Sequence, residues 1–209
     1  MKHERYHLIE KFAGSAGLEL SPDQIRLLLS FEALLSAQAL PSGLVSAADE
    51  GRLLERHVLD CLRAARAVED RDREAFDLGS GAGLPGIPVA IACPRLRLHL
   101  VEARRHRSAV LEQMIRELGV GNTEVAHSRI ELIPGTADLC FARALAPLER
   151  SWELSERLLR PGGRLVYFAG EELPAEEILL AERLPNVVAV RTLPPVLASS
   201  GPLVIMTRR

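Results

Sequence analysis

Lysine is almost missing from this 209-residue chain: Lys2 and Lys11 are the two present, and every other fixed cation is an arginine. Arginine suits phosphate and base recognition, although a compositional bias of the source genome accounts for such a swap equally well. Aromatic residues make up 4% of the chain, which argues against a platform that stacks several bases. The three cysteines, Cys61, Cys93 and Cys140, are odd in number, far apart and in no ligand spacing. No disulfide framework and no metal site is therefore expected, and each cysteine reads as a small core residue among apolar neighbours. No apolar run approaches a membrane span; the best, Leu84 to Cys93, is interrupted by Pro85, Gly86 and Pro88. Met1 to Arg5 leads into no apolar stretch, so no signal peptide is expected. The expected compartment is the cytoplasm, with no membrane partner. A net charge of -2 argues neither for nor against nucleic acid.

What is present is ordinary globular material, 47% hydrophobic and 26% charged, long enough for one domain with an appendage. The first part reads as helices. Tyr6 to Ala16 is a short one. Ser21-Pro22-Asp23-Gln24 can cap and open a second, which Ile25, Leu28, Leu29 and Leu35 continue to about Ala39. Another is expected from Asp49 to Val68, with Leu53, Leu54, His57, Val58, Cys61 and Leu62 on one face. From residue 75 strands and helices alternate: strands at 75–78, 97–102, 123–126, 137–142 and 164–169, helices from Pro88, at 108–118, at 148–159 and near 175–183, the third of these ended by Pro161-Gly162-Gly163. Such alternation predicts a mostly parallel sheet covered on both faces. Two last strands, 186–192 and 202–206, are joined by a short link, Pro194 to Gly201, and are expected to pair antiparallel. The division is thus an N-terminal helical extension, residues 1–70, and a Rossmann-like α/β domain, residues 71–209, forming one compact unit.

In an open parallel sheet, ligands bind at the carboxyl ends of the strands, and the loop after the first strand is the usual place. Here that loop is Asp77-Leu78-Gly79-Ser80-Gly81-Ala82-Gly83. Its glycines remove side chains where backbone must turn and approach a ligand. Two patterns fit. Gly81-Ala82-Gly83-Leu84-Pro85-Gly86 is the dinucleotide G-x-G-x-x-G; Asp77 to Gly83 is the D-x-G-x-G-x-G of methyltransferases. Asp77 favours the second, because a carboxylate there suits a methionine-like ammonium and repels a pyrophosphate. Pro85 and Pro88 stiffen the turn. Glu102 follows about 20 residues past the loop, where an acid accepts hydrogen bonds from ribose hydroxyls under either pattern.

Ser128-Arg129-Ile130-Glu131 follows the third strand and would flank an adenine, with Ile130 packed on the ring and Glu131 or backbone at its polar edge. Arg143 ends the fourth strand; an arginine there needs solvent or an anion, so it is a candidate contact to cofactor or a substrate phosphate. Arg104, Arg105 and Arg107, with Arg95 and Arg97, cluster around the second strand, and the first three could bind phosphates. A solvated helix face explains them as well. His57 and Asp60, on an apolar helix face, read as an anchor between the helices and the α/β domain. His3 and His7 lack a third metal ligand.

With these residues in place, the chain resembles the bacterial small-subunit ribosomal RNA methyltransferase G family, also called the glucose-inhibited division protein B family. The resemblance covers roughly residues 50 to 170. It is carried by Arg56-His57-Val58-Leu59-Asp60-Cys61-Leu62, Asp77 to Pro88, Ser128 to Glu131 and Arg143-Ala144; the run Gly79-Ser80-Gly81-Ala82-Gly83-Leu84-Pro85-Gly86-Ile87-Pro88 is far more specific than a bare glycine motif. It implies a class I methyltransferase with a seven-stranded sheet whose last strand is antiparallel. The implied enzyme uses S-adenosyl-L-methionine to make 7-methylguanosine in 16S ribosomal RNA, on the RNA or the small ribosomal subunit, as a monomer. Gly79, Leu84, Ile130, Glu131 and Arg143 are implied to contact the cofactor and Glu102 its ribose, with Asp77, Ser80, Gly81 and Gly83 completing the loop. The chain departs from the family at Cys61, where serine is usual; at His106, near a usual lysine; at Ala169, where a lysine is expected before Gly170; and at Ser36-Ala37-Gln38, in place of a Trp-Asn pair. Guanine N7 carries an exposed lone pair, so alignment is expected to do the catalysis, with no catalytic base. A nicotinamide-dependent oxidoreductase and a non-catalytic RNA-binding module remain as alternatives.

Overall fold

The computed structural model describes residues 2–198 and 200–209. Seven strands form one sheet: β1 (Glu74–Leu78), β2 (Arg97–Val101), β3 (Thr123–Ala126), β4 (Ala137–Ala142), β5 (Leu159–Phe168), β6 (Val187–Leu193) and β7 (Leu203–Arg208), in the order β3-β2-β1-β4-β5-β7-β6. The first five pair in parallel. β7 inserts antiparallel between β5 and β6, as the short terminal link requires; Ser199 of that link lies outside the described residues. β5 begins earlier than expected, at Leu159. Pro161-Gly162-Gly163, read as the end of a helix, instead lies inside this strand at a register shift against β4. The preceding helix, α6 below, stops at Glu156, before that turn.

The inner strands β1, β2, β4, β5 and β7 bury residues on both faces, so successive side chains feed two separate cores. Ala75, Leu98, Leu100, Leu139, Phe141, Val166, Leu203 and Ile205 belong to one; Phe76, Leu78, Val101, Cys140, Ala142, Leu165, Val204 and Met206 belong to the other. The first core takes the helices α1 (Lys2–Ser15), α2 (Pro22–Leu34), α3 (Asp60–Leu62), α4 (Gly86–Ala92) and α5 (Arg105–Leu118). The second takes α6 (Leu148–Glu156) and α7 (Ala175–Ala181), anchored by Trp152, whose Nε1 donates to the Pro185 carbonyl at 3.1 Å. Residues 9 to 67 thus bury their apolar faces in the same core as the sheet.

The capping box at α2 forms: Gln24 N donates to Ser21 Oγ, and Ser21 N to Gln24 Oε1. Gln24 Nε2 also donates to the carbonyls of Ile91 and Ala92, at 2.7 and 3.2 Å, at the end of α4. One side chain therefore opens a helix and docks it on the α/β domain. Segment 47–67 is helical but not uniform. It runs as a 3₁₀ turn (Ala47–Arg52), a π turn (Leu54–Leu59), α3, and a second 3₁₀ turn (Arg63–Ala67). Leu53, Leu54, His57, Val58, Leu59, Cys61 and Leu62 are all buried, a face too broad for one regular helix to present. The pitch changes to accommodate it. Cys61 and Cys140 are fully buried and Cys93 partly so; burial pushes the Cys61 thiol up to about 12, which leaves it inert. No helix among the described residues is long and apolar enough to cross a membrane.

Arg164 on β5 is 3% exposed and binds Asp72 (4% exposed) and Glu69, each at 2.6 Å, tying loop 68–73 to the sheet. Removing one partner of such a pair leaves a buried charge alone, which costs about 3–5 kcal/mol. Arg164→Ala is therefore expected to lower the unfolding free energy by that amount, read as a lower urea midpoint with little change in slope.

Candidate methyltransferase site

β1 lies between β2 and β4, so the connections after β1 and β4 leave in opposite directions. The gap at their carboxyl ends is where a ligand can enter. An open crevice of about 430 Å³ lies there, walled by Gly79 from the glycine loop, Val101 to Arg104 after β2, Ser128 to Glu131 after β3, and Leu145 after β4. A larger recess of about 650 Å³ is lined by Arg5, Arg26, Glu32, Glu50 and their neighbours. It is bounded by helical residues alone and includes no strand end.

The glycine loop is held by two carboxylates. Asp77, 1% exposed, accepts from Ser80 Oγ at 2.5 Å and from Gly86 N at 3.0 Å through Oδ2. Its Oδ1 is buried without a partner. Glu102, 5% exposed, accepts from Gly81 N at 3.2 Å and from Arg104 N at 2.8 Å. Gly79 N and Ser80 N fold back on the Val101 carbonyl, at 3.0 and 2.9 Å, and Gly83 N and Leu84 N donate to the Ser80 carbonyl. The amides of Gly79, Ser80, Gly81, Gly83, Leu84 and Gly86 are thus all engaged within the protein. A pyrophosphate would need free amides in this loop, so the dinucleotide pattern in the sequence is not matched by the donors it requires.

Two glycines are required by packing as well as by turning. A Cβ on Gly83, at φ +83°, would sit 2.4 Å from Ile87 Cδ1; a Cβ on Gly86 would sit 2.3 Å from Leu100 Cδ2 and 2.7 Å from Asp77 Oδ2. Both let α4 press against the sheet directly behind the loop.

The structure brings Gly79, Glu102, Arg104, Ile130 and Glu131 together on the crevice wall. Gly81 stands behind Glu102, half exposed. Asp77, Ser80, Gly83 and Leu84 are buried beneath the loop and shape it from below. Arg105 is exposed and Arg107 half-buried on the first turn of α5. Arg143 follows β4, but its guanidinium is drawn toward segment 47–67: Nε is 3.5 Å from Asp60 Oδ2, and Nη2 donates to His57 Nδ1 at 3.2 Å and the Arg56 carbonyl at 3.4 Å. The sequence reading missed two participants. Arg129 is an exposed cation on the crevice wall; one arginine in a surface loop carries no sequence signal of its own. Asp49 is the partner of His57, and its spacing carries no helical signature because the pitch changes between them.

A model of the rRNA small subunit methyltransferase G family matches residues 24–195. The chain belongs to that family. The ribosomal RNA small subunit methyltransferase G of Acidothermus cellulolyticus is 39% identical over 160 residues, covering 75% of this chain and 72% of the relative. The protein of the same name from Chlorobaculum tepidum is 35% identical over 182 residues, covering 85% and 84%. Among solved structures, a SAM-dependent methyltransferase from Aquifex aeolicus superposes with a TM-score of 0.60 over 81% of this chain and 98% of its own, at 18% identity. A putative O-methyltransferase from Klebsiella pneumoniae gives 0.58 over 99% and 96%, at 16% identity. These show the fold alone, a class I Rossmann-like methyltransferase. The family match begins at Gln24, the residue that docks α2 on α4, so nearly all of α2 and segment 47–67 lie within it, and α1 lies outside it.

Burial raises the Asp77 carboxyl from 3.8 to about 6. A raised acid favours the folded state most while protonated in it, so this contribution is complete below pH ~3.8 and is lost as pH rises through about 6. The loss is on the order of 3 kcal/mol at 1.36 kcal/mol per unit. Chemical denaturation from pH 4 to 7 is expected to show this decline in the wild type and to lack it in Asp77→Asn.

Proposed function

We propose that this protein transfers a methyl group from S-adenosyl-L-methionine to N7 of a guanosine in 16S ribosomal RNA. The observation that carries the reading is Glu102: a buried carboxylate at the end of the strand beside the glycine loop, aimed by the Gly81 and Arg104 amides, on the wall of the crevice. Each of its oxygens accepts one amide and keeps a further lone pair for a ribose hydroxyl. Ile130 offers an apolar wall for a purine and Glu131 a polar edge. With Asp77 behind the loop and Glu102 before it, the crevice is electrostatically suited to a cationic nucleoside and not to a pyrophosphate. The residues present therefore fit the cofactor.

When bound, the cofactor supplies a methyl group on a positively charged sulfur. Guanine N7 is an acceptor on the major-groove edge and needs no proton removed, so the protein's task is alignment, which supplies roughly 7–11 kcal/mol in favourable cases. Arg143, at the end of β4, stands beside the reacting groups as a donor to cofactor or a substrate phosphate. Access to RNA comes from the other side of the crevice. Arg104, Arg105 and Arg107 open α5, whose first turn contains no acid. Cations at the positive end of a helix are destabilising by about 0.3–1 kcal/mol each. A phosphate bound there reverses that penalty, and Arg129 across the crevice adds to the same field. The RNA, free or in the small subunit, is read as bound by this rim, and a protein acting on it as a monomer is read as working in the cytoplasm.

Transfer of labelled methyl from the cofactor to unmethylated small subunits, and recovery of the label as 7-methylguanosine after digestion, tests the reading. Label in another nucleoside, or a melting temperature raised by a nicotinamide dinucleotide and not by S-adenosylhomocysteine, would replace it. Glu102→Ala is expected to weaken S-adenosylhomocysteine binding about 10- to 100-fold by calorimetry, the loss of one or two charge-assisted hydrogen bonds. Arg105→Glu is expected to raise stability by about 0.3–1 kcal/mol while weakening RNA binding and reducing its log–log salt slope by about 1.

A further inference from the structure

Asp60, on α3, stands between two guanidinium groups. Its Oδ1 accepts from Arg63 Nε at 2.8 Å, and its Oδ2 faces Arg143 Nε at 3.5 Å. Arg63 is 1% exposed and lies over the ring of Phe168, the last residue of β5, 5.0 Å from its centroid. On the far side of Arg143, His57 Nδ1 is the acceptor for Nη2. An acceptor nitrogen must carry the lone pair, so the ring proton sits on Nε2, where Asp49 Oδ2 takes it at 3.1 Å. Burial and the neighbouring Arg143 hold the His57 pKa below its ordinary value, which keeps the ring neutral and able to accept. A continuous series, Asp49, His57, Arg143, Asp60 and Arg63, thus runs from segment 47–67 to the carboxyl ends of β4 and β5.

A clasp between two segments needs a single ion pair. Here Arg143 is gripped on two edges: Nε by Asp60, and Nη2 by His57 and the Arg56 carbonyl. Among the described residues Nη1 has no such partner, and the side chain is 21% exposed. An arginine held this way has its orientation fixed and one donor left over.

We propose that Asp60 and His57 are positioning residues for methyl transfer, holding the Arg143 guanidinium at the end of β4 with Nη1 presented to the reactants. The proposal rests on the functional reading above, in which Arg143 borders the reacting groups. It makes the helical segment a working part of the site and gives the Arg56-His57-Val58-Leu59-Asp60 motif a physical role.

A double-mutant cycle tests it. Methyl transfer to unmethylated small subunits is measured for the wild type, Asp60→Asn, His57→Gln, Arg143→Ala, and each of the first two variants combined with Arg143→Ala. Misplacing a positioned group costs up to about 100-fold in rate, so each single variant is expected to lower kcat about 10- to 100-fold. Each double variant is expected to be no slower than Arg143→Ala alone, because the partners act through that arginine. Losses that multiply in the doubles, or single variants with wild-type kcat, would overturn the proposal. Should Asp60→Asn fail to fold by circular dichroism, the His57→Gln pair of measurements decides alone, since it leaves the buried Arg63–Asp60 contact intact. A wild type that binds S-adenosylhomocysteine but methylates no particle would sink the functional reading itself, an outcome visible without any variant.

Discussion

The glycine loop has a shape because two buried carboxylates hold it. Asp77 pulls Ser80 and Gly86 together from beneath, and Glu102 takes the Gly81 amide from the side. A loop with glycines at φ +74°, +56° and +83° would otherwise sample many conformations, and ordering such a chain carries a large entropic penalty. The carboxylates make the ordering local. They also fix its electrostatic sign. With these amides turned inward to acids and carbonyls, the loop presents little that attracts an anion. Where the N–H groups point bears on the choice between a dinucleotide and a sulfonium nucleoside, which two overlapping glycine patterns cannot express.

That explains which parts of the molecule could be read from the sequence. The sheet was legible because its strands are short apolar runs separated by helical periodicity, and the antiparallel ending because residues 194–201 are too few for a crossover. The start of α2 was legible because a capping box is a local interaction. Glu102 was legible by its distance from the loop. The directions of side chains after β4 were not. Nothing near Arg143 in sequence says that its partners are Asp60 and His57, more than eighty residues away. Segment 47–67 was legible as helical but not in pitch, because its buried face is set by what it packs against. Pro161-Gly162-Gly163 read as a helix stop because proline and glycine usually are; in the structure a strand-edge irregularity uses the same residues.

The N-terminal helices and the sheet share a core, and this bears on how the site is built. Phe31, Leu35, Val58 and Leu62 bury against the same face as Leu98, Leu139 and Phe141. Burial of that kind, at about 25 cal/mol per Å², holds the helical segment firmly enough for its polar residues to have fixed positions over the strand ends. Gln24 on α4, Arg63 over Phe168 and Arg66 on the Pro194 carbonyl at 3.0 Å are polar contacts laid on that apolar base. Precision at Arg143 is therefore a product of packing as much as of ion pairing.

The two sides of the crevice treat their arginines in opposite ways. Toward segment 47–67, Arg143 and Arg63 share Asp60, and Arg52 and Arg56 share Asp49; each cation there has an acid of the protein beside it. Toward α5, Arg104, Arg105 and Arg107 have no acidic partner among the described residues and stand at the positive end of a helix. A fold selected for stability alone would place acids at that helix start and pair those cations. The proposed function gives them a use, because a bound RNA would bring the missing negative charge in its phosphate backbone. Paired cations on one side and unpaired ones on the other make a division that an overall charge of -2 conceals.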